Sequence, residues 1–486
     1  MRIRLLSALL AGSLSLGLAS TRAALNLPDL GEASETVISR NTEQTLGTQT
    51  MNQLRASGTL LDDPEVNAYL DQLGRRLLQA DPSQSGQSFT FFAVGSRELN
   101  AFALPGGYVG VNSGLILATQ NESELASVLA HEISHVTQHH IARQIAAQTS
   151  NQMATMAALL GALVAAGTGN GQVAMAAITG ATAAQLQSQI NYTREHEQEA
   201  DRVGFRLLSD AGFDPRAMAS FFERLQRSTR LVEGNVPSYM RTHPLTQTRI
   251  AEAQDLAFSK PYRQVRDSQE FHLVRALLRS YDGTPQEAVR RMTKELTEGR
   301  YPDRQAARYG LAAARLRAQD FAQARKDLEA LEKDGFQHPM YEALLGQVLM
   351  QSGQLPVARN RYEEALKRYP RHLQLVYDYP RLLMQMGDKA RAARFAEAKL
   401  LDYPHDITLH QTAAEAWAGA GQMFKSHYHQ GEYYAALGRL KEADEQFTIA
   451  SRSSDGDTHD LLILDPRMKA IKEQLREQRR NSREGQ

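Results

Sequence analysis

The chain has 486 residues, enough for two or three folding units, since single cores seldom grow beyond about 250 residues. Its 55 basic and 55 acidic side chains cancel, so no global field favours nucleic acid or an anionic membrane as a partner. It has no cysteine, which excludes disulfides, thiolate metal ligands and lipid attachment at a cysteine, so any zinc must be held by His, Glu or Asp.

The N-terminal "MRIRLLSALLAGSLSLGLASTRAALNLPDLG" sets two arginines before an apolar run from Leu5 to Ala19, then the small residues Thr21 and Ala23. That order predicts a secretory signal peptide over 1–23, cut after Ala23; the apolar run is shorter than the roughly 20 residues a membrane span needs. Export without cysteine fits the bacterial periplasm, where disulfides are permitted but not required.

In "VNAYLDQLGRRLLQA" (66–80) apolar residues recur at helical spacing. "SFTFFAV" (88–94) is rich in aromatic and β-branched residues and "LPGGYVGVNSGLI" (104–116) alternates glycine with valine, so short strands are expected there. From Glu122 to Gln148 the pattern returns to helix, with Asn121 as N-cap and glutamates in the first turn. Inside that helix lies "AHEISHVTQHH" (130–140). The Ala/Gly-rich stretch 153–186 is broken by "GTGNG" into two arms, each too short to span a bilayer. It reads as helices packed on the protein, with peripheral membrane contact as the lesser alternative and a mobile cover over the site as a third.

Past Arg263 the texture is helical and a repeat appears. "QDFAQA" at Gln319, "GQLPVA" at Gly353, "GDKARA" at Gly387 and "GRLKEA" at Gly438 are 34, 34 and 51 residues apart, and 34 is the tetratricopeptide period. In the unit 340–373, Leu345, Gly346, Ala358, Tyr362, Ala365 and Pro370 fall where that repeat needs small, aromatic and helix-ending residues. Pro380 predicts a kink or an irregular pair in the next unit, and the 51-residue gap predicts an extra helix before the last one. The remaining 461–486 reads as a charged C-terminal tail.

His131 and His135 of "HEISH" lie one helical turn apart on one face, where both imidazoles reach a single ion. Glu132 then stands beside the metal's open position, able to take a proton from a water whose pKa zinc has lowered to about 7. His131 and His139 are two turns apart, about 12 Å of rise, too far to share an ion, and Val136 replaces the base between His135 and His139. His139 and His140 therefore read as surface residues. A third ligand is needed. The pattern H-E-x-x-H-x-x-G-x-x-H fails at Gln138 and Ile141. "NYTREHEQEADRVGF" offers Glu195, Glu197 and Glu199, and Glu197 and Asp201 are again one turn apart, so a metal-binding Glu197 would let Asp201 orient a ligand imidazole. A solvated acidic helix face is the plainer alternative.

"HEISH", the later E-x-x-x-D at Glu197 and Asp201, "NAFALPGG" (100–107) and "THP" (242–244) occur in the order seen in the M48 family of zinc metallopeptidases, which the chain resembles. With its leader and repeats the whole chain resembles periplasmic members of that family in Gram-negative bacteria. The resemblance implies an α+β, mainly α fold: a helical zincin-type metalloprotease domain with a small β-sheet over 24–263, then an all-α tetratricopeptide-repeat domain over 264–460. It also implies one zinc ion held by His131, His135 and Glu197, with Glu132 as base and Asp201 as assisting acid. An endopeptidase with a quality-control role in outer-membrane protein assembly follows, with unfolded or stalled outer-membrane proteins as substrates.

Asp201 is expected either to position an imidazole or to donate a hydrogen bond to the tetrahedral intermediate. His243, before a proline in "MRTHPLTQ", is expected in a loop, either structural or as an inhibitory fourth zinc ligand. "GGYVGV" (106–111) is expected to form an edge strand on which substrate backbone pairs. The repeats, which carry no catalytic cluster, are expected to bind the outer-membrane assembly machinery. The rival readings are a chaperone or scaffold with a degenerate zinc site, against which Glu132 argues, and a zinc hydrolase of a non-peptide substrate.

Overall fold

The computed structural model describes residues 39–82, 87–146, 194–231, 237–261 and 263–484. The expected signal peptide over 1–23 and the Ala/Gly-rich stretch 153–186 lie outside these residues. No helix among the described residues is long and apolar enough to cross a membrane.

Helices α1 (Arg40–Ala56) and α2 (Pro64–Leu78) start where side chains satisfy free backbone N–H groups: Ser39 accepts from Thr42, and Asp63 accepts from Glu65 and Val66. Three short strands follow, β1 (Thr90–Val94), β2 (Ala101–Leu104) and β3 (Tyr108–Asn112), in the order β1-β3-β2. β3 runs parallel to β1 and antiparallel to β2. The alternation of "YVGVN" now has a cause. Val109 and Val111 enter the core, while Gly110, paired with both Phe92 and Phe102, leaves room for their rings. A Cβ at Gly110 would stand 2.4 Å from the Phe102 ring. The expected edge strand is therefore the central one: its backbone is paired on both sides and offers none to a substrate.

α3 (Ser113–Ala118) leads into α4 (Glu122–Thr137), capped by Asn121 as the sequence predicts. The helix expected to run on to Gln148 ends early. A turn at Gln138 and His139 separates α4 from α5 (His140–Ala146), and His139 takes a positive φ of 52°. The N-terminal half closes with α6 (Arg194–Asp210), α7 (Ala217–Leu231), α8 (Ser238–Thr242) and α9 (Gln247–Phe258).

The rest of the described chain is helical hairpins: α10 (Gln269–Ser280), α11 (Pro285–Thr297), α12 (Arg304–Arg317), α13 (Phe321–Lys333), α14 (Pro339–Gln351), α15 (Leu355–Arg368), α16 (Leu373–Gln385), α17 (Lys389–Leu400), α18 (Ile407–Gly419), α19 (Met423–Ala436), α20 (Leu440–Ser451) and α21 (Thr458–Glu484). The registered positions Gln319, Gly353, Gly387 and Gly438 are the tight turns of these hairpins, each at positive φ; Gln319 adopts 59° without being glycine. Gly421 keeps the period, 34 residues after Gly387, and α19 is the extra helix, packing on α18 before it and α20 after it. α16 runs through Pro380 without ending. The charged stretch 461–484 is also helical: Leu464 and Ile471 of α21 are buried with Phe424, Leu440 and Phe447.

The two halves share a core. One buried apolar cluster extends from Val66 of α2 to Trp417 of α18. The N-terminus of α4 is tied to the first repeat helix: Asp267 Oδ1 accepts from Glu122 N at 2.8 Å, while the Glu122 carboxylate accepts from Ser268 N at 3.1 Å and Tyr69 Oη at 3.0 Å. His372 Nε2 lies 3.0 Å from Glu65 Oε2 on α2. Part of the repeat surface, expected to bind partners, is thus covered by the N-terminal half.

Within the repeats, Gly346 of α14 lies under the Tyr362 ring of α15, where an added Cβ would come within 2.3 Å. Gly346→Ala is expected to lower unfolding free energy by about 1–3 kcal/mol through overpacking, despite alanine's better helix propensity; denaturant titration followed by circular dichroism measures it.

Candidate metal centre

α4 is buried along its length, from Glu122 to Val136, so its polar side chains must find partners inside the protein. α6 supplies them by close approach. Gly204 of α6 sits against Ala130 and His131, and a Cβ there would be 3.1 Å from Ala130 C and O and from His131 N. That contact brings the Glu197 and Asp201 face of α6 onto the His131 and His135 face of α4.

The side chains converge. His131 Nε2 and His135 Nε2 are 3.0 Å apart, and Glu197 reaches both at 3.4 Å, through Oε2 and Oε1 respectively. His243, at the end of α8, enters the same space: its Nδ1 is 3.0 Å from Glu197 Oε1 and 3.4 Å from His131 Nε2. One ligand atom from each of these four residues lies within 4.8 Å of the others. A tetrahedral zinc with ligand bonds of about 2.0–2.1 Å has ligand atoms about 3.3 Å apart, and the observed spacings bracket that edge. Both oxygens of Glu132 are buried without a hydrogen-bond partner, and His243 Nε2 stands 3.6 Å from Glu132 Oε1. A wholly buried carboxylate without hydrogen bonds is costly in a structural site, but suits one that waits for water and substrate. The donor set and the orphaned carboxylate fit a catalytic zinc ion.

Asp201 Oδ1 is 2.9 Å from His131 Nδ1. Arg249 of α9, 2% exposed, grips Asp201 with Nε to Oδ2 at 2.6 Å and Nη2 to Oδ1 at 2.9 Å, donates Nη1 to Pro244 O at 2.9 Å, and brings Nη1 to 2.6 Å from Glu197 Oε2. The Tyr239 ring stacks on His243 with centroids 4.7 Å apart.

These contacts set the charge states. Burial pushes the Glu132 carboxyl up, against the pull of His243 and His131. Burial also opposes ionising Glu197 and Asp201, yet His243 and then Arg249 hold Glu197 well down, and Arg249 and then His131 hold Asp201 down. Burial disfavours charge on His131, but its hydrogen bonds to Asp201 and then Glu197 prevail and raise it to about 10. The arrangement sets the ionised carboxylates of Glu197 and Asp201 beside one carboxyl, Glu132, poised to exchange a proton.

Residues 64–257 match Peptidase family M48. The putative beta-barrel assembly-enhancing protease of Vibrio cholerae is 34% identical over 433 residues, 88% of either chain. The chain belongs to peptidase family M48. The beta-barrel assembly-enhancing protease of Escherichia coli is 33% identical over 429 residues, 87% of either chain. The metalloprotease LoiP of E. coli is 26% identical over 223 residues, 44% of this chain and 79% of LoiP. As an M48 member the chain is a metalloendopeptidase whose metal is zinc.

In this M48 site His131, Glu132, His135, Glu197, Asp201 and His243 stand together. Two expectations need correction. His140 is not a surface residue: it is 0% exposed, with Nδ1 2.8 Å from His135 Nδ1, and burial followed by the neighbouring His196 pushes its imidazole down to about 3. His139 is half-buried, 3.6 Å from Glu43. Asp201 has Oδ1 against His131 and both oxygens on Arg249, which favours the positioning alternative over donation to an intermediate. Arg249 was not anticipated. Its only sequence signal is an arginine six residues after His243 among otherwise ordinary helix residues.

Arg249→Met would strand two buried carboxylates. It is expected to cost about 3–5 kcal/mol in stability, measured by denaturant unfolding, with lower zinc content at equal chelator concentration.

Proposed function

We propose that this chain is a periplasmic zinc endopeptidase that cleaves misfolded or stalled envelope proteins and assists outer-membrane protein assembly. The observation that carries the reading is the convergence of His131, His135 and Glu197 beside the Glu132 carboxylate, which makes no hydrogen bond. The names of the Vibrio and Escherichia relatives support the assembly role, and the leader-like 1–23 segment supports export to the periplasm. In this reading the protease domain spans 24–263. The repeat domain spans 264–460 and binds the outer-membrane assembly machinery, while unfolded or stalled outer-membrane proteins are the substrates.

His131, His135 and Glu197 would hold the ion. Bound zinc supplies a Lewis acid for the scissile carbonyl and acidifies water. Glu132 accepts the proton of the attacking water and delivers it to the leaving amine; its raised proton affinity suits both halves of that transfer. Asp201 fixes the His131 imaidazole through Nδ1, and Arg249 fixes Asp201. His243 lies against Glu197 and Glu132, where it would occupy the fourth position and exclude water until substrate displaces it.

Glu132→Gln is expected to keep its zinc while cleavage of an unfolded envelope protein falls roughly 100- to 10,000-fold. Zinc content and digestion are measured on the same samples, and equal cleavage with bound zinc would overturn the catalytic assignment. His243→Ala is expected to raise proteolysis and to change the visible spectrum of the cobalt-substituted protein. Unchanged activity and spectrum would remove His243 from the zinc sphere.

A further inference from the structure

α6 carries two functional faces. Glu197 and Asp201, four residues apart, point to His131, while His196 and Glu199, three apart, meet His140 on another side of the helix. His140 is within reach only because α4 stops. In a continuous helix residue 140 would lie about 7.5 Å along the axis from His135 and well around it. The left-handed turn at His139 instead brings the two imidazoles to 2.8 Å, Nδ1 to Nδ1.

Two nitrogens at that distance need one proton between them, and the surroundings decide who donates. His135 Nε2 faces His131 and Glu197, so with zinc on Nε2 the neutral His135 ring carries its proton on Nδ1. His140 Nδ1 must then accept, which puts the His140 proton on Nε2. That nitrogen lies 3.2 Å from Glu199 Oε2, an oxygen also held by Arg143 Nη1 at 2.9 Å. His196 stacks on the His140 ring, centroids 4.5 Å apart and planes 14° from parallel. These contacts agree on one direction of donation, from His135 to His140 to Glu199.

We propose that His140 is a positioning residue for the metal centre, accepting the Nδ1 proton of His135 and held in the Nε2–H tautomer by Glu199. The two histidine ligands are thereby oriented by different chemistry: His131 by the carboxylate of Asp201, His135 by a neutral imidazole backed by a more distant carboxylate. The inference rests on the reading of His135 as a zinc ligand through Nε2.

The test uses the full chain loaded with zinc or cobalt. Nitrogen-15 NMR of the wild-type zinc form is expected to show His140 protonated on Nε2, a readout that survives if a variant fails to fold. His140→Leu is expected to weaken zinc binding about 10- to 100-fold in chelator competition and to shift the cobalt absorption bands, with His140→Asn, which keeps an acceptor, restoring most of both. A His140 ring protonated on Nδ1, or zinc affinity and cobalt bands unchanged in His140→Leu, overturns the inference. His135→Ala separates it from its parent. If that variant loses zinc while His140→Leu does not, only the role of His140 fails; if it keeps tight zinc, the metal site fails and this inference with it.

Discussion

A guanidinium sealed between two carboxylates is the constraint on which the site depends. Asp201 and Glu197 are almost wholly buried and ionised, a state the interior tolerates only because Arg249 meets both. Through that contact α9 fixes α6, α6 fixes the imidazole of His131, and Pro244 O on the same guanidinium fixes the loop that carries His243. The proposed ligands are thus placed by an ion pair that includes one of them, Glu197, while Arg249 itself stays outside the donor set. The close approach at Gly204 supplies the remaining restraint, setting the distance between the two helices.

What was legible in the sequence was what helical periodicity encodes. His131, Glu132 and His135 follow from spacing along one helix, whereas Glu197 and Asp201 stand out from Glu195 and Glu199 only through the resemblance to M48 peptidases, because spacing alone leaves a solvated acidic face as the plainer alternative. The repeats were readable for the same reason, since turn residues and small residues recur at 34, and even the irregular 51-residue gap announced the added helix α19. His140 was hidden because its role requires the helix to end at a residue, His139, that gives no breaker signal. Arg249 was hidden because an arginine on a helix is normally solvated, and nothing local says that two carboxylates await it.

The sheet teaches a related lesson. The glycines and valines of "GGYVGV" correctly marked a strand, but strand order is a property of pairing partners, not of the segment. Gly110 leaves space for the flanking Phe92 and Phe102 rings rather than for an incoming chain. A glycine in a strand announces close approach and leaves open who approaches.

The continuous apolar cluster from α2 to α18 has a consequence for how such an enzyme ages. The segment joining the two halves is irregular and mostly exposed at 259–261 and 263–266, yet the halves do not separate cleanly there, because Glu122 at the head of α4 takes hydrogen bonds from Ser268. Damage to the first repeats would strip partners from the helix that carries His131 and His135. If the repeats guide substrates as proposed, this architecture makes guidance and cutting fail together.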